Sequence, residues 1–275
     1  MKKFKYMFIT NKPDLAKYAE ASGVDRIFVD LEILGKEERQ GHLNTVISRH
    51  SLDDVLKVKK ILSQSELLVR INPFNENSRT EVESVISAGA DIVMLPMIKS
   101  IDEVISIGEY INSRAKLIPL IETSYSAENI FKISELHCVD ELHIGLNDLH
   151  LELNLSFMFE LLSNGYVEKM VNGLKKPFGI GGIARVGVGN IGGETVITEH
   201  VRLGSTRAIL SRAFHMEAKT VDELKRHFSL SEEIKKIDDA RNNALNLSTQ
   251  AMAMQHYHFS KSVEEIVRKI NETSI

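Results

Sequence analysis

Five charged side chains each follow a short apolar run. Asp30 and Glu32 come after Ile27-Phe28-Val29, and Arg70 closes Leu67-Leu68-Val69. Glu122 follows Leu117-Ile118-Pro119-Leu120-Ile121, and Asp148 follows Ile144-Gly145-Leu146. A buried strand that ends on a charge delivers that charge to the rim of its sheet. Two carboxylates on adjoining strand ends, Glu122 and Asp148, can hold one hard divalent cation, leaving its other positions to water and substrate oxygens. Mg²⁺ or Mn²⁺ suits such oxygen donors. Each acid taken alone has a simpler use, capping the helix that follows it; corresponding positions on neighbouring strands favour the metal site. A guanidinium at a strand end needs an anion. For Arg70 the choices are a substrate carboxylate or developing enolate oxygen, which fits its fork, or a structural ion pair with Asp30 or Glu32. Arg70, Asp30 and Glu32 are therefore candidate catalytic groups.

The elements that must position these residues alternate along the chain. Strands are expected near Tyr6–Thr10, Arg26–Leu31, Leu67–Ile71, Asp91–Leu95, Lys116–Ile121, Glu141–Gly145, Phe178–Ile183 and Ser205–Leu210. Continuous apolar runs such as Ile92-Val93-Met94-Leu95 read as strands covered on both faces. Helical patterns lie between them, among them Pro13–Ser22, Asp53–Leu62, Glu81–Ala88, Asp102–Asn112, Ala127–Leu136 and Gly193–Leu203; Thr220-Val221-Asp222-Glu223 resembles a capping box. Eight strand–helix repeats predict an α/β protein with a parallel sheet, closed as a (β/α)₈ TIM barrel, with a doubly wound open sheet as the structural rival. In a barrel, all these strand ends share one mouth. The chain's 275 residues exceed the roughly 250 that such a barrel needs. We assign residues 1–230 to the barrel and 231–275 to a helical extension. Val263, Ile266, Val267 and Ile270 give that extension an apolar face, either for its own barrel or for a second subunit of a homo-oligomer.

Ile33 to His50 is long for a strand-to-helix connection and holds Lys36, Arg39, His42, Arg49 and His50. It reads as a lid or anion-recognition segment, with Lys36 and Arg39 as substrate-binding candidates and His42 or His50 as an acid/base; the alternative is a solvated loop. Gly179-Ile180-Gly181-Gly182, at the end of the seventh strand, offers Gly181 and Gly182 as backbone donors to a phosphate, or simply close packing. His143 is expected to be a satisfied core residue. A formal net charge of -4 argues against nucleic-acid binding through phosphate neutralisation. A single cysteine, Cys138, forbids an internal disulfide framework and fits a reducing cytoplasm. No apolar stretch approaches the ~18 residues of a membrane span.

Five segments in order carry a family likeness: Phe28-Val29-Asp30-Leu31-Glu32, Val69-Arg70-Ile71-Asn72, the run from Ala88 to Met97, Ile121-Glu122-Thr123, and Ile144-Gly145-Leu146-Asn147-Asp148-Leu149. Together they resemble the HpcH/HpaI aldolase and citrate lyase β-subunit family of the pyruvate/phosphoenolpyruvate superfamily. The resemblance implies a metal-dependent carbon–carbon lyase or aldolase acting on a small 2-oxo acid or acyl substrate. It implies Glu122 and Asp148 as the metal ligands, and Arg70 as the contact to a carbonyl or enolate oxygen. Two departures stand out. Aldolase members often place His directly after the acidic pair, where this chain has Ile33. Citrate-lyase-like members often place another acid there, then Lys and Arg; here Lys36 and Arg39 are present without the acid. The proton-transfer group is thus left open. The rival readings are a phosphoenolpyruvate-using enzyme of the same superfamily and a barrel that binds a 2-oxo acid or phosphorylated ligand without turning it over.

Overall fold

In the computed structural model, which describes residues 3–35 and 50–273, eight strands close into one barrel in sequence order. They are β1 (Lys5–Ile9), β2 (Arg26–Asp30), β3 (Glu66–Arg70), β4 (Ile92–Leu95), β5 (Lys116–Ile121), β6 (Leu142–Ile144), β7 (Phe178–Ile183) and β8 (Arg207–Leu210). Every neighbouring pair is parallel, and β8 closes on β1 through Lys5↔Arg207 and Met7↔Ile209. The open-sheet alternative is thereby eliminated.

The covering helices are α1 (Pro13–Ala21), α2 (Leu52–Lys59), α3 (Ser78–Ser87), α4 (Ile101–Ile111), α5 (Ser124–Glu128), α6 (Ile130–Glu135), α7 (Leu146–Glu152), α8 (Glu160–Ser163), α9 (Tyr166–Val171), α10 (Gly193–Leu203) and α11 (Val221–His227). Local sequence explains their ends. Pro13 opens α1, and Thr220 accepts from the Glu223 N–H to cap α11. The single helix expected over Ala127–Leu136 is two short ones. They break at Asn129, whose side-chain amide donates to the Tyr125 carbonyl at 3.0 Å, the kind of local bond that competes with helix continuation.

Strand alternation divides the buried apolar residues into two sets. Met7, Phe28, Leu68, Ile92, Met94, Ile118 and Leu120 fill the barrel interior, while the larger set lies between strands and helices. Below the inner apolar set, at the N-terminal ends of the strands, charged side chains fill the lumen. The fully buried Arg26 makes a bidentate pair with Glu141, at 2.7 and 2.9 Å, and donates from Nε to Glu66 at 2.9 Å. Arg207 lies 3.0 Å from Glu141, and Lys5 and Lys116 both pair with Glu66. Burial alone would raise the Glu66 carboxyl, but Lys116, Arg26 and Lys5 bring it down to about 2.

Two further helices follow α11: α12 (Leu230–Leu245) and α13 (Thr249–Thr273). The buried Phe259 and Val263 seat α13 on its own barrel, with Phe259 edge-on to Phe159 at 6.2 Å. Nδ1 of His256 lies 3.1 Å from both carboxylate oxygens of the buried Glu199 on α10. Packing on the same chain therefore accounts for the buried face of α13. Among the described residues, no helix is long and apolar enough to cross a membrane.

Candidate active site

β2 and β3 end side by side, with Asp30 registered against Arg70. The guanidinium forks onto Asp30, from Nε to Oδ1 at 2.8 Å and from Nη2 to Oδ2 at 2.8 Å, and Nη2 also lies 3.3 Å from Glu32. Both acids are only 2% exposed. The ion pair weighed from sequence is thus present, and it takes both candidate acids at once. It leaves Nη1, which no described residue accepts from. Burial opposes the charge on Arg70, but Asp30 first, then Glu32 and Glu122, outweigh it and push its pKa up. Glu32 is placed by its own backbone N–H, which donates to Asp30 Oδ1 at 3.2 Å.

Glu122 is the first residue beyond β5. It does not cap the following helix. Thr123 does, accepting from the Ser126 N–H while the Ser126 hydroxyl accepts from the Thr123 N–H. Asp148 likewise lies within the first turn of α7, whose N-cap is Gly145. The capping alternative is therefore removed for both acids. Glu122 is 3% exposed, and its Oε1 accepts from the backbone N–H of Met97 at 3.0 Å. No described residue donates to Oε2. A Cβ at position 145 would meet that oxygen at 2.8 Å and the Glu122 Cβ at 2.9 Å, so glycine there makes room for the carboxylate. Burial, then Asp148, then Glu32 push the Glu122 carboxyl well above the usual range, and Arg70 and the Met97 N–H offset this only in part.

These groups fit a hard divalent cation. Arg70 stands among the buried carboxylates of Asp30, Glu32 and Glu122, Asp148 is close enough to raise the Glu122 carboxyl, and no described residue donates to Glu122 Oε2. Glu122, held well above the usual carboxylate range by burial and by Asp148, is the acid that gains most from an arriving cation. Among the described residues no three His, Cys, Asp or Glu side chains converge as a cage. A site of one or two carboxylates completed by water and substrate suits Mg²⁺ or Mn²⁺ and does not suit structural zinc.

The surroundings show what Asn72, to which the sequence assigned no role, and the acid/base candidate His50 contact. Asn72, just past β3, accepts the N–H groups of Ile33 and Leu34 on Oδ1, each at 3.0 Å, and donates from Nδ2 to Glu81 on α3 at 2.8 Å. It fixes the start of the loop that follows Glu32. His50 accepts the Asp30 N–H on Nδ1 at 3.0 Å, which places its ring at the end of β2. Lys36, Arg39 and His42 lie outside the described residues. Gly181 and Gly182 are inside β7 at its irregular pairing with β8, and what surrounds them is close packing: Leu146 at 3.1 Å from a Cβ at 181, Ser211 at 3.5 Å from one at 182. His143 corrects the expectation of a satisfied core histidine. It is buried, but neither ring nitrogen has a hydrogen-bond partner among the described residues, and burial lowers its pKa from 6.5 to about 3. His150, in contrast, pairs with the Leu146 carbonyl at 3.2 Å.

A closed barrel of eight parallel strands with helices between them defines the (β/α)₈ class. The sequence pattern of the HpcH/HpaI aldolase/citrate lyase family matches residues 6–186, and the chain belongs to that family. Membership implies a lyase, and the family is generally divalent-metal dependent. No curated protein matches the chain. Solved structures that share the fold include these three. An HpcH/HpaI aldolase/citrate lyase family protein from Burkholderia cenocepacia J2315 is 14% identical with a TM-score of 0.60, covering 88% of this chain and 94% of that one. An HpcH/HpaI aldolase from Desulfitobacterium hafniense DCB-2 is 16% identical with a TM-score of 0.57, covering 86% and 93%. Citrate synthase SbnG is 17% identical with a TM-score of 0.58, covering 86% and 95%.

Proposed function

We propose that this chain is a divalent-metal-dependent carbon–carbon lyase or aldolase acting on a small 2-oxo acid or acyl substrate by way of an enolate. One observation carries the reading: the buried carboxylates of Asp30, Glu32 and Glu122 gathered around Arg70 at the mouth of the barrel, with Asp148 close enough to raise the Glu122 carboxyl. Glu122 and Asp148 would hold the cation. When bound, the cation supplies Lewis acidity toward a substrate carbonyl. Arg70 supports the same chemistry from the other side. Asp30 and Glu32 fix its guanidinium plane through Nε and Nη2, so Nη1 is left to donate to an oxygen that gains charge as the enolate forms. A donor held rigid before reaction needs no reorganisation when the charge appears.

Pyruvate is the minimal substrate for testing this. Incubated with the protein and Mg²⁺ in D₂O, it should exchange its methyl protons, read from the proton NMR signal, and oxaloacetate should lose CO₂ faster than with Mg²⁺ alone. EDTA and Glu122→Gln should each stop both. Metal-loaded protein that does neither above the metal-only control would remove the pyruvate-enolate reading.

A further inference from the structure

Met97 is one of the few non-glycine residues here with a left-handed backbone, at φ 51. A side chain in this region is strained, and strain of this kind persists only where the surroundings over-determine it. The surroundings of Met97 do so from one side. Pairing between β4 and β5 stops at Leu95↔Pro119, and Pro96 has no N–H to extend it. The next amide, that of Met97, turns away from the strand direction and donates to Glu122 Oε1 at 3.0 Å. One residue later the Thr123 hydroxyl donates to the Ile98 carbonyl at 2.6 Å. Thr123 is itself locked by its reciprocal bonds with Ser126. The turn 96–98 is thus clasped by the end of β5 at two successive residues.

The clasp acts on the carboxylate as much as on the turn. Glu122 is buried and has one oxygen bound to the Met97 amide, while on the other side Gly145 gives way to its second oxygen. We infer that Met97 is a positioning residue: its left-handed backbone aims an amide at Glu122 Oε1, so that Oε2 alone is presented to a cation. This rests on the metal reading of the mouth given above. The work is done by the backbone, so what matters at position 97 is tolerance of the left-handed region and not the thioether. Glycine adopts that region without strain, whereas a β-branched residue is a severe outlier there.

Two measurements test this. In metal-free protein, hydrogen exchange of the Met97 amide, followed by NMR, should be slow in the wild type. It should accelerate at least about tenfold in Glu122→Ala while amides of β4 and β5 keep their protection, since a partly buried amide that loses its acceptor is exposed to local opening. Isothermal titration with Mn²⁺ should then find Met97→Val weaker than Met97→Gly by about tenfold or more, the loss expected when a hydrogen bond to a charged group is broken. Both variants are compared at equal folded fraction by circular dichroism. If Met97→Val does not fold, replacing the 96–97 amide by an ester, which deletes the N–H alone, should give the same loss relative to wild type. Equal Mn²⁺ affinity in the Gly, Val and ester proteins overturns the positioning role and leaves the metal reading intact. Fast exchange of the Met97 amide in the wild type overturns the contact itself. Absence of Mn²⁺ binding by the wild type overturns the metal reading, and the positioning role with it.

Discussion

Replacing Arg70 by Met removes the guanidinium that pairs with Asp30 and Glu32 while keeping most of the side-chain volume. Asp30 and Glu32 are each 2% exposed and lose the group that pairs them, at 2.8 and 3.3 Å. Removing one partner of a buried ion pair costs roughly 3–5 kcal/mol, because the remaining charge must stay buried unpaired or take up a proton. Asp30 and Glu32 each have further polar interactions, so the lower part of that range is expected. The cost has a signature. Protonation of buried acids relieves the loss of a cationic partner, so the stability deficit should shrink as the pH falls from 7 toward 5. Urea unfolding of wild type and Arg70→Met at pH 7 and pH 5.5, without divalent metal, measures both effects. The double variant Asp30→Asn/Arg70→Met should recover part of the loss, since it withdraws one of the stranded charges. A single variant within about 0.5 kcal/mol of wild type at pH 7, the scale of a neutral surface change, would refute the reasoning. So would a deficit that does not depend on pH.

Other consequences follow from the same geometry. Glu122→Gln and Asp148→Asn replace charged oxygen donors by neutral amides; calorimetric titration should show each binding Mg²⁺ or Mn²⁺ at least about tenfold more weakly, with the fold intact by circular dichroism. Arg70→Lys keeps the charge but loses the fork, and steady-state kinetics should show kcat lower by about 10²–10³-fold, as for loss of one oxyanion donor. Gly145→Ala would drive a Cβ within 2.9 Å of the Glu122 side chain, and should weaken metal binding more than it lowers the melting temperature. His143 is protonated in the unfolded chain near pH 6.5 but in the folded protein only near pH 3, so the stability present above pH 6.5 is lost as the pH falls, by up to about 1.4 kcal/mol per pH unit. His143→Leu should flatten the dependence of melting temperature on pH between 6.5 and 4, with the residual slope left to His200, whose pKa burial also lowers to about 3.

The barrel was legible because its strands are unbroken apolar runs. Ile92–Leu95 or Lys116–Ile121, covered on both faces, admits few other readings. The acids and Arg70 were legible for the complementary reason, since each is a charge placed abruptly at the end of such a run. Roles carried by the backbone left no comparable mark. Nothing in Leu95-Pro96-Met97 announces a left-handed methionine. The side-chain amide of Asn72 serves the loop after Glu32 only because α3 brings Glu81 beneath it. The unpartnered imidazole of His143 was misjudged because satisfaction is a property of neighbours. A Cβ at Gly179 would lie 2.4 Å from its Nδ1, so the residue packed against the ring is one that offers no side chain at all.

The charged plug at the opposite end of the lumen bears on how the molecule comes apart. Assign β1–β4 to one half-barrel and β5–β8 to the other. The first half owns Lys5, Arg26 and Glu66, the second Lys116, Glu141 and Arg207. Each half's carboxylate receives a cation from the other half: Glu141 takes both nitrogens of the Arg26 fork, and Glu66 takes Lys116. The halves are clasped reciprocally, like two hands each holding the other's wrist. A fragment ending between β4 and β5 would strand the Arg26 fork without Glu141, and its complement would strand Glu141 without that fork. Each half keeps a pairing of its own, Arg26 Nε and Lys5 on Glu66 and Arg207 on Glu141, but loses the bidentate fork and the Lys116 pair, so dissociation into two folded halves is penalised and opening of the barrel is driven toward a single cooperative event.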